Sequence, residues 1–148
     1  MTDCTVLVLA AGTGSRINNS LPKQYIPLNG KTVLRRTVEI FLSHPRITNV
    51  HVVISKEHKT FYRDAIVGLD LPSPIYGGDT RQQSALKGLT HLGKKQPKYI
   101  LIHDAARPFV DHKLIDRVLN KLVTCKAAIP GIRLADTLKR VHSEGRSV

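Results

Sequence analysis

A short apolar run followed by small residues is the stretch best suited to bind phosphate. Residues 6–9 (VLVL) have the length and branching of a strand buried on both faces of a parallel sheet. Residues 10–14 (AAGTG) follow directly, and a turn without bulky side chains lets backbone N–H groups approach a phosphate closely. Two cations, Arg16 and Lys23, come next. The pattern predicts a polyphosphate site; the alternative is a tight turn with two solvated cations.

Spacing excludes two common phosphate-binding loops. A dinucleotide fingerprint beginning at Gly12 needs glycine at position 17, where the chain has Ile17. The Gly-Lys-Ser/Thr ending of a Walker loop is absent from this stretch. The order LAAGTGSR at 9–16 and PKQ at 22–24 instead resembles the sugar-nucleotide pyrophosphorylase and cytidylyltransferase superfamily. In that superfamily the loop wraps the triphosphate of a nucleotide.

A second polar segment, Gly77–Ser84, follows a predicted short strand. Gly78 would let a flat base lie against the backbone, and Ser84 offers a hydroxyl. Thr80 and Gln83 have capping-box spacing, so the same turn also starts a helix. Arg81 either braces this loop or is a solvated cation.

A third segment, Asp104–Arg107, follows another predicted strand. Mg²⁺ prefers one or two carboxylates together with phosphate oxygens and water, so Asp104 alone could serve as its protein ligand. The alternative is a helix cap or a local salt bridge between Asp104 and Arg107. Arg107 is itself placed to bind the phosphate of a second substrate. His103 is more typical of a packed histidine than of an acid–base group, since a phosphate nucleophile is already ionised.

Nucleotidyl transfer requires little from a protein. A phosphate attacks the α-phosphorus of a nucleoside triphosphate, and catalysis comes from positioning and from cations that match the growing charge. Arg16 and Lys23 are predicted to hold the α-phosphate and to stabilise the transition state and the leaving pyrophosphate. In a fourth segment, Asp136–Lys139, Thr137 could donate a hydroxyl to the second substrate, although a role in an edge strand suits it equally.

Bulk composition points to anionic partners. The chain has 148 residues and a formal net charge of +12. Only 5% of residues are aromatic and none is Trp, which argues against stacking platforms for single-stranded nucleic acid. Cys4 and Cys125 lack metal-ligand spacing. No stretch has transmembrane length and the acidic Met1–Asp3 start is unlike a signal peptide, so we expect a cytoplasmic protein that binds neither nucleic acid nor membrane.

Strands alternate with helices along the chain, which predicts an α/β, Rossmann-like fold with a mainly parallel sheet and helices on both faces. We expect one nucleotidyltransferase domain over residues 1–148. Ligands bind such sheets outside the carboxyl ends of the strands, so the four polar segments are predicted to converge there. After residues 6–9, the predicted elements are a helix with Leu34, Val38, Phe41 and Leu42 on one face, a strand at Asn49–Ser55, a weaker helix at Lys56–Val67, a short strand at Ile75–Tyr76, a helix from Thr80 to Leu92 with Ala85, Leu86 and Leu89 inward, a buried strand at Tyr99–His103, a helix with Leu114, Ile115, Val118, Leu119 and Leu122 inward and Lys113, Arg117 and Lys121 outward, and a strand at Ala127–Ile129.

Five segments in order, LAAGTGSR, PKQY, GGDTRQQS, IHDAARPFV and ADTLK, closely resemble the 2-C-methyl-D-erythritol 4-phosphate cytidylyltransferase family. The resemblance implies a Mg²⁺-dependent reaction of CTP with this phosphorylated polyol. Ala106 and Lys139 look more like this family than like the related ribitol-phosphate cytidylyltransferases, which remain an alternative. By matching motifs, the triphosphate would be held by Ala10, Ala11, Gly12, Gly14, Arg16 and Lys23, cytidine by Gly78, Asp79, Ser84 and Ala105, the metal by Asp104, and the methylerythritol phosphate by Arg107 and Thr137.

One departure from the family concerns length. Its members continue for dozens of residues past the point that matches Val148. We therefore expect the C-terminal part of the sheet to be missing, together with most of a β-arm that begins near residue 140 and joins two subunits of the homodimeric family. A catalytically inactive CTP-binding fragment is a further alternative. A nonspecific nucleic-acid binder is suggested only by the charge.

Overall fold

The computed structural model describes residues 4–12, 21–94 and 96–137. Contacts divide the chain into two compact units, residues 1–115 and residues 116–148, and the expectation of one domain stays a prediction. The strands are β1 (Cys4–Ala10), β2 (Pro27–Leu28), β3 (Lys31–Thr32), β4 (Asn49–Ile54), β5 (Ile75–Tyr76) and β6 (Tyr99–Asp104), and the helices are α1 (Val33–Leu42), α2 (Lys59–Ala65), α3 (Arg81–Gly93) and α4 (His112–Leu122).

The first unit is built on a four-stranded sheet in the order β5-β4-β1-β6. All of its pairs are parallel, as the sequence predicts. In the register, Leu9 lies opposite Val53 on one side and Asp104 on the other. The carboxyl ends of β1, β4 and β6 therefore lie along the same edge of the sheet. Every residue of β1 is buried, which explains its continuous apolar sequence.

Helices cover both faces of this sheet, which confirms the predicted α/β fold. Leu7 and Leu9 point to one face and pack with Leu92 of α3. The alternate positions point to the opposite face, where His103 lies in register with Val8. The ring of Phe41 in α1 contacts His103 there, with centroids 5.0 Å apart.

Local sequence signals explain where the helices of the first unit begin. The side chain of Thr32 caps α1 by accepting a hydrogen bond from Arg35 N. Thr80 and Gln83 form the predicted capping box at α3. The predicted helix at 56–67 is a 3-10 turn, Lys56–His58, followed by α2.

A small hairpin that the sequence pattern does not predict precedes α1. Strands β2 and β3 pair antiparallel around Asn29 and Gly30, whose φ angles are 49° and 78°. Positive φ at both central residues is the geometry that Asn-Gly favours in a two-residue hairpin loop.

Four predictions about the elements are wrong. Leu42, predicted on the apolar face of α1, is 40% exposed at the last position of that helix. Leu86 is 65% exposed and does not face the core. It directly follows the part-buried Ala85, and one step along a helix turns the next side chain away from the core.

Strand β6 is only partly buried, with Ile102 42% exposed, because it forms an edge of the described sheet. Residues 127–129 form no strand: Ile129 is 93% exposed, and no ladder satisfies their backbone.

The predicted faces of α4 are confirmed. Ile115 and Leu119 are buried, whereas Lys113, Arg117 and Lys121 are exposed. Within residues 4–12, 21–94 and 96–137, no helix is long and apolar enough to cross a membrane.

The packing of α3 on β1 depends on Gly88 and can be tested there. A Cβ on Gly88 would lie 2.5 Å from Cδ2 and 2.8 Å from Cδ1 of Leu7, which is fully buried. We expect Gly88→Ala to lower the free energy of unfolding, since overpacking costs about 1–3 kcal/mol. That cost outweighs the gain of roughly 1 kcal/mol in helix propensity.

Gly93→Ala is the matched control, because a Cβ on Gly93 meets nothing within 4 Å. Urea denaturation should show equal or higher stability for Gly93→Ala and lower stability for Gly88→Ala. A Gly88→Ala protein as stable as Gly93→Ala would contradict this packing.

Candidate functional site

Three of the four polar segments meet at the carboxyl edge of the sheet, as predicted. Gly77 N donates to Ile54 O at 2.9 Å, which places the second segment beside the end of β4. Ala105 N donates to Leu9 O at 2.9 Å, which places the third segment beside the end of β1. Of the first segment, Gly12–Lys23, Gly12 continues the chain from β1 and lies between them, and residues 13–20 lie outside the described part of the chain.

Gln24 fastens the Pro22–Tyr25 turn to the end of β1. Its side chain is buried, and its Nε2 donates to Ala10 O at 2.8 Å and to Gly12 O at 2.8 Å. Lys23 is exposed on the same turn, which closes through Tyr25 N donating to Pro22 O at 2.8 Å. One amide group therefore holds the small-residue loop and brings the cationic turn beside it.

Gln24 belongs to the PKQY segment, but the sequence pattern does not predict its role. Nothing in one sequence distinguishes a buried amide that bridges two carbonyls from one on the surface. The only signal was its place between Lys23 and the aromatic Tyr25.

The two ends of the Gly77–Ser84 segment pack closely because the residues there are small. A Cβ on Gly77 would lie 2.7 Å from the Cβ of Ala11 and 2.6 Å from Ser84 Oγ. Ser84 is buried, and its hydroxyl accepts from Gly78 N at 3.1 Å and donates to Gly78 O at 3.2 Å. In this state Ser84 shapes the loop. Asp79 is exposed at its tip, with its backbone N–H held by Gln83 Oε1 at 2.9 Å.

Asp104 ends β6 between two arginines. Arg81 donates to one carboxylate oxygen at 2.9 Å, and Arg107 donates to the other at 3.0 Å. Burial by itself raises the pKa of Asp104, but the hydrogen bonds and charges of the two arginines outweigh it and lower the pKa below its ordinary value. Arg81 thus braces the site, and the salt bridge between Asp104 and Arg107 weighed from sequence is present.

The residues around Asp104 fit a metal ion only as a site with a single protein carboxylate. Among the residues that the structure describes, no group of three or more His, Cys, Asp or Glu side chains could hold a metal ion. A single carboxylate suits Mg²⁺ when substrate phosphates and water complete the coordination. One of the two arginine contacts would have to yield an oxygen of Asp104 to the ion.

His103 and His58 are packed residues at the borders of the site. The Nε2 atom of His103 lies 2.9 Å from Arg107 O, in agreement with its predicted packing role. His58 lies against Tyr25, with ring centroids 5.5 Å apart. Burial lowers the pKa of both imidazoles, outweighing the opposing effects of Glu57 and the Ala10 backbone on His58.

The remaining residues singled out from the sequence fall into three groups. Ala10 and Ala105 are buried. Gly14, Arg16 and Lys139, with the Val141–Val148 end of the chain, lie outside the described residues. Thr137 is exposed in the second unit, and its approach to the other segments stays a prediction.

Comparison with protein families gives a match over almost the whole chain. The model of the family described as IspD, 2-C-methyl-D-erythritol 4-phosphate cytidylyltransferase, matches residues 4–148. A bifunctional IspD/IspF enzyme of Paramagnetospirillum magneticum is 46% identical over 140 residues, covering 95% of this chain and 36% of that protein. A protein of the same description from Wolbachia pipientis is 41% identical over 142 residues, covering 93% and 36%. The chain thus spans about a third of the length of these relatives.

Solved structures of related proteins share the fold. The 4-diphosphocytidyl-2C-methyl-D-erythritol synthase of Anaerococcus prevotii superposes with a TM-score of 0.80 at 26% identity, covering 97% of this chain and 62% of that chain. The 2-C-methyl-D-erythritol 4-phosphate cytidylyltransferase of Francisella tularensis gives 0.77 at 28% identity, covering 99% and 64%.

The role of Gln24 can be tested with Gln24→Met, which keeps the length of the side chain but removes its N–H donors. The Ala10 carbonyl is buried, and a buried carbonyl left without a partner costs about 1–3 kcal/mol; the exposed Gly12 contributes less. We expect the free energy of unfolding in urea to fall by about 2 kcal/mol or more. Gln82→Met, at an exposed position of α3, is the matched control and should change it little. Equal stability of the two variants would contradict the bridging role.

Buried neutral histidines also predict a pH dependence. The folded-state pKa values of His58 and His103 lie below their ordinary value. As the pH falls, the unfolded chain therefore binds more protons than the folded chain does. Stability is fully present above about pH 6.5 and is lost as the pH falls below it, by at most about 1.4 kcal/mol per pH unit for each histidine.

His58→Phe keeps the ring against Tyr25 and removes one titrating group. Urea denaturation between pH 7 and 5 should show a shallower loss of stability than in the wild type. Between pH 7 and 8 the two curves should run parallel. An unchanged loss below pH 6.5 would show that His58 does not carry this dependence.

Proposed function

This chain belongs to the 2-C-methyl-D-erythritol 4-phosphate cytidylyltransferase family, and we propose that it binds CTP and transfers the cytidylyl group to 2-C-methyl-D-erythritol 4-phosphate. The products are the CDP-linked alcohol and pyrophosphate. The observation that carries the proposal is the convergence of a small-residue loop, a cationic turn and a carboxylate at one edge of a parallel sheet. This edge is where α/β sheets bind their ligands.

The triphosphate would lie on the loop at the end of β1. Ala10, Ala11 and Gly12 present backbone without bulk, and among the described residues a Cβ on Gly12 would meet nothing within 4 Å, which would leave room for a ligand. Lys23 projects from the turn that Gln24 holds beside this loop. We assign to Lys23, with Gly14 and Arg16, the binding of the phosphates and stabilisation of the charge that grows in the transition state.

Cytidine would be read by the segment that packs against that loop. Gly77 and Gly78 expose backbone groups, and Asp79 stands at the exposed tip. Ser84 would act first by holding Gly78, and Ala105 completes the floor as a small buried residue. Because Gly77 touches Ala11, base and triphosphate would be bound by two segments in direct contact.

The second substrate would approach Asp104 and Arg107. Arg107 is exposed and can offer its guanidinium to a phosphate, and Thr137 is proposed to add a hydroxyl. The attacking phosphate is already an anion, so no protein base is required. Asp104 would hold Mg²⁺, which when bound neutralises phosphate charge.

The role of Lys23 is tested by Lys23→Ala in the 148-residue chain. If Lys23 stabilises the transition state, pyrophosphate release from CTP and methylerythritol phosphate should fall about 100-fold. The affinity for CTP, measured by calorimetry and compared with the affinities for UTP and ATP, should fall far less than the rate of pyrophosphate release.

Lys113→Ala, on the exposed face of α4, is the matched control and should turn over as the wild type does. Turnover by Lys23→Ala within a few-fold of wild type would overturn the assignment. Tight CTP binding without any pyrophosphate release from the unaltered chain would identify a CTP-binding portion only.

A further inference from the structure

The two oxygens of Asp104 have different partners. Oδ1 accepts a hydrogen bond from Arg81 Nε at 2.9 Å, and Arg81 Nη2 lies 2.9 Å from the same oxygen. Oδ2 accepts from Arg107 Nε at 3.0 Å. Each oxygen is thus occupied by a separate guanidinium, one from the start of α3 and one from the loop after β6.

The arginines differ in how firmly they are held. Arg81 makes two contacts with one oxygen, and its side chain is 61% exposed. Arg107 makes one contact with the other oxygen, and its side chain is 75% exposed. Arg81 is also the first residue of α3, directly after the capped Gly77–Thr80 turn.

The backbone of Arg107 is fixed, whereas its exposed side chain is held by its contact with Asp104. Its N–H donates to Asp104 O at 3.1 Å, and its carbonyl contacts His103 Nε2 at 2.9 Å. A guanidinium on such a fixed backbone can swing between partners without moving the loop. Exposed ion pairs of this kind contribute little free energy, whereas a phosphate offers a bidentate partner of higher charge.

We propose that Arg81 is a positioning residue that holds Oδ1 of Asp104, whereas Arg107 is exchangeable. When an anion binds, the guanidinium of Arg107 moves from Oδ2 to the anion, and Oδ2 is then free to bind a divalent cation. Anion and cation then bind cooperatively at one carboxylate. The inference rests on the proposed function for its ligands, a phosphorylated substrate and Mg²⁺. Arg81, at the start of α3, would then keep the Asp104 carboxylate oriented.

The exchange can be followed by NMR without turnover, with sulfate as the probe anion and Mg²⁺ as the probe cation. Sulfate should shift the Nε–Hε signal of Arg107 and leave that of Arg81 in place. Mg²⁺ binding, followed at the Asp104 carboxyl carbon, should be about fivefold tighter in sulfate than in chloride of equal ionic strength.

Two variants separate the roles of the arginines. Arg107→Gln should bind Mg²⁺ equally well in sulfate and chloride, because the exchangeable partner is gone. Arg81→Gln should shift the Arg107 signal even without sulfate, because Asp104 is no longer held from Oδ1, and Arg81→Lys should partly restore it. Arg63→Gln, which removes an exposed arginine paired with Asp64, is the matched control and should keep the full sulfate effect.

The proposal is overturned if sulfate leaves the Arg107 signal unmoved, if the sulfate effect survives in Arg107→Gln, or if Arg81→Gln leaves Arg107 unchanged. Failure of the proposed function would appear differently, as absence of CTP binding and pyrophosphate release while the sulfate effect persists. Turnover without any sulfate effect would reject the exchange alone.

Discussion

The arrangement of the site depends on the buried amide of Gln24. Its two hydrogen bonds bridge the carbonyls of Ala10 and Gly12, which belong to the loop that leaves the sheet. The hydrogen bond to Ala10 O is buried, so loss of this donor would leave a desolvated carbonyl there, whereas Gly12 is exposed. A single side chain makes both hydrogen bonds and fixes the turn that carries Lys23. The cation and the loop therefore share one anchor.

The neighbouring segments are likewise held in place by a few side chains. Gly77 lies so close to Ala11 and Ser84 that a side chain has no room, and Ser84 closes the turn through both of its hydrogen-bonding capacities. Arg81 then links the start of α3 to Asp104 on β6. The Gly77–Ser84 turn, the small-residue loop after β1 and the Asp104 carboxylate form one connected set of contacts. Such a set suits chemistry that relies on positioning and charge.

Much of the fold could be predicted because its signals are local. The apolar run of β1, the capping box at Thr80 and the periodic leucines of α4 each depend on neighbours in sequence, and all three are confirmed. The failures concern what lies beside an element. Neither the exposure of Ile102 in β6 nor the absence of a ladder at residues 127–129 can be inferred without knowing which strands are adjacent.

The sequence by itself determined the α/β architecture, the family and the order of the polar segments, because residue type and spacing along the chain encode them. Only the tertiary structure decided which atoms of those segments meet. It showed Gln24 as the bridge, Ser84 as a brace for Gly78, and Asp104 divided between Arg81 and Arg107. Asp104 and Arg81 are 23 positions apart in the chain and 2.9 Å apart in space, a proximity created by the parallel register of the sheet and by the packing of α3 on it. A linear pattern contains no information on such a distance.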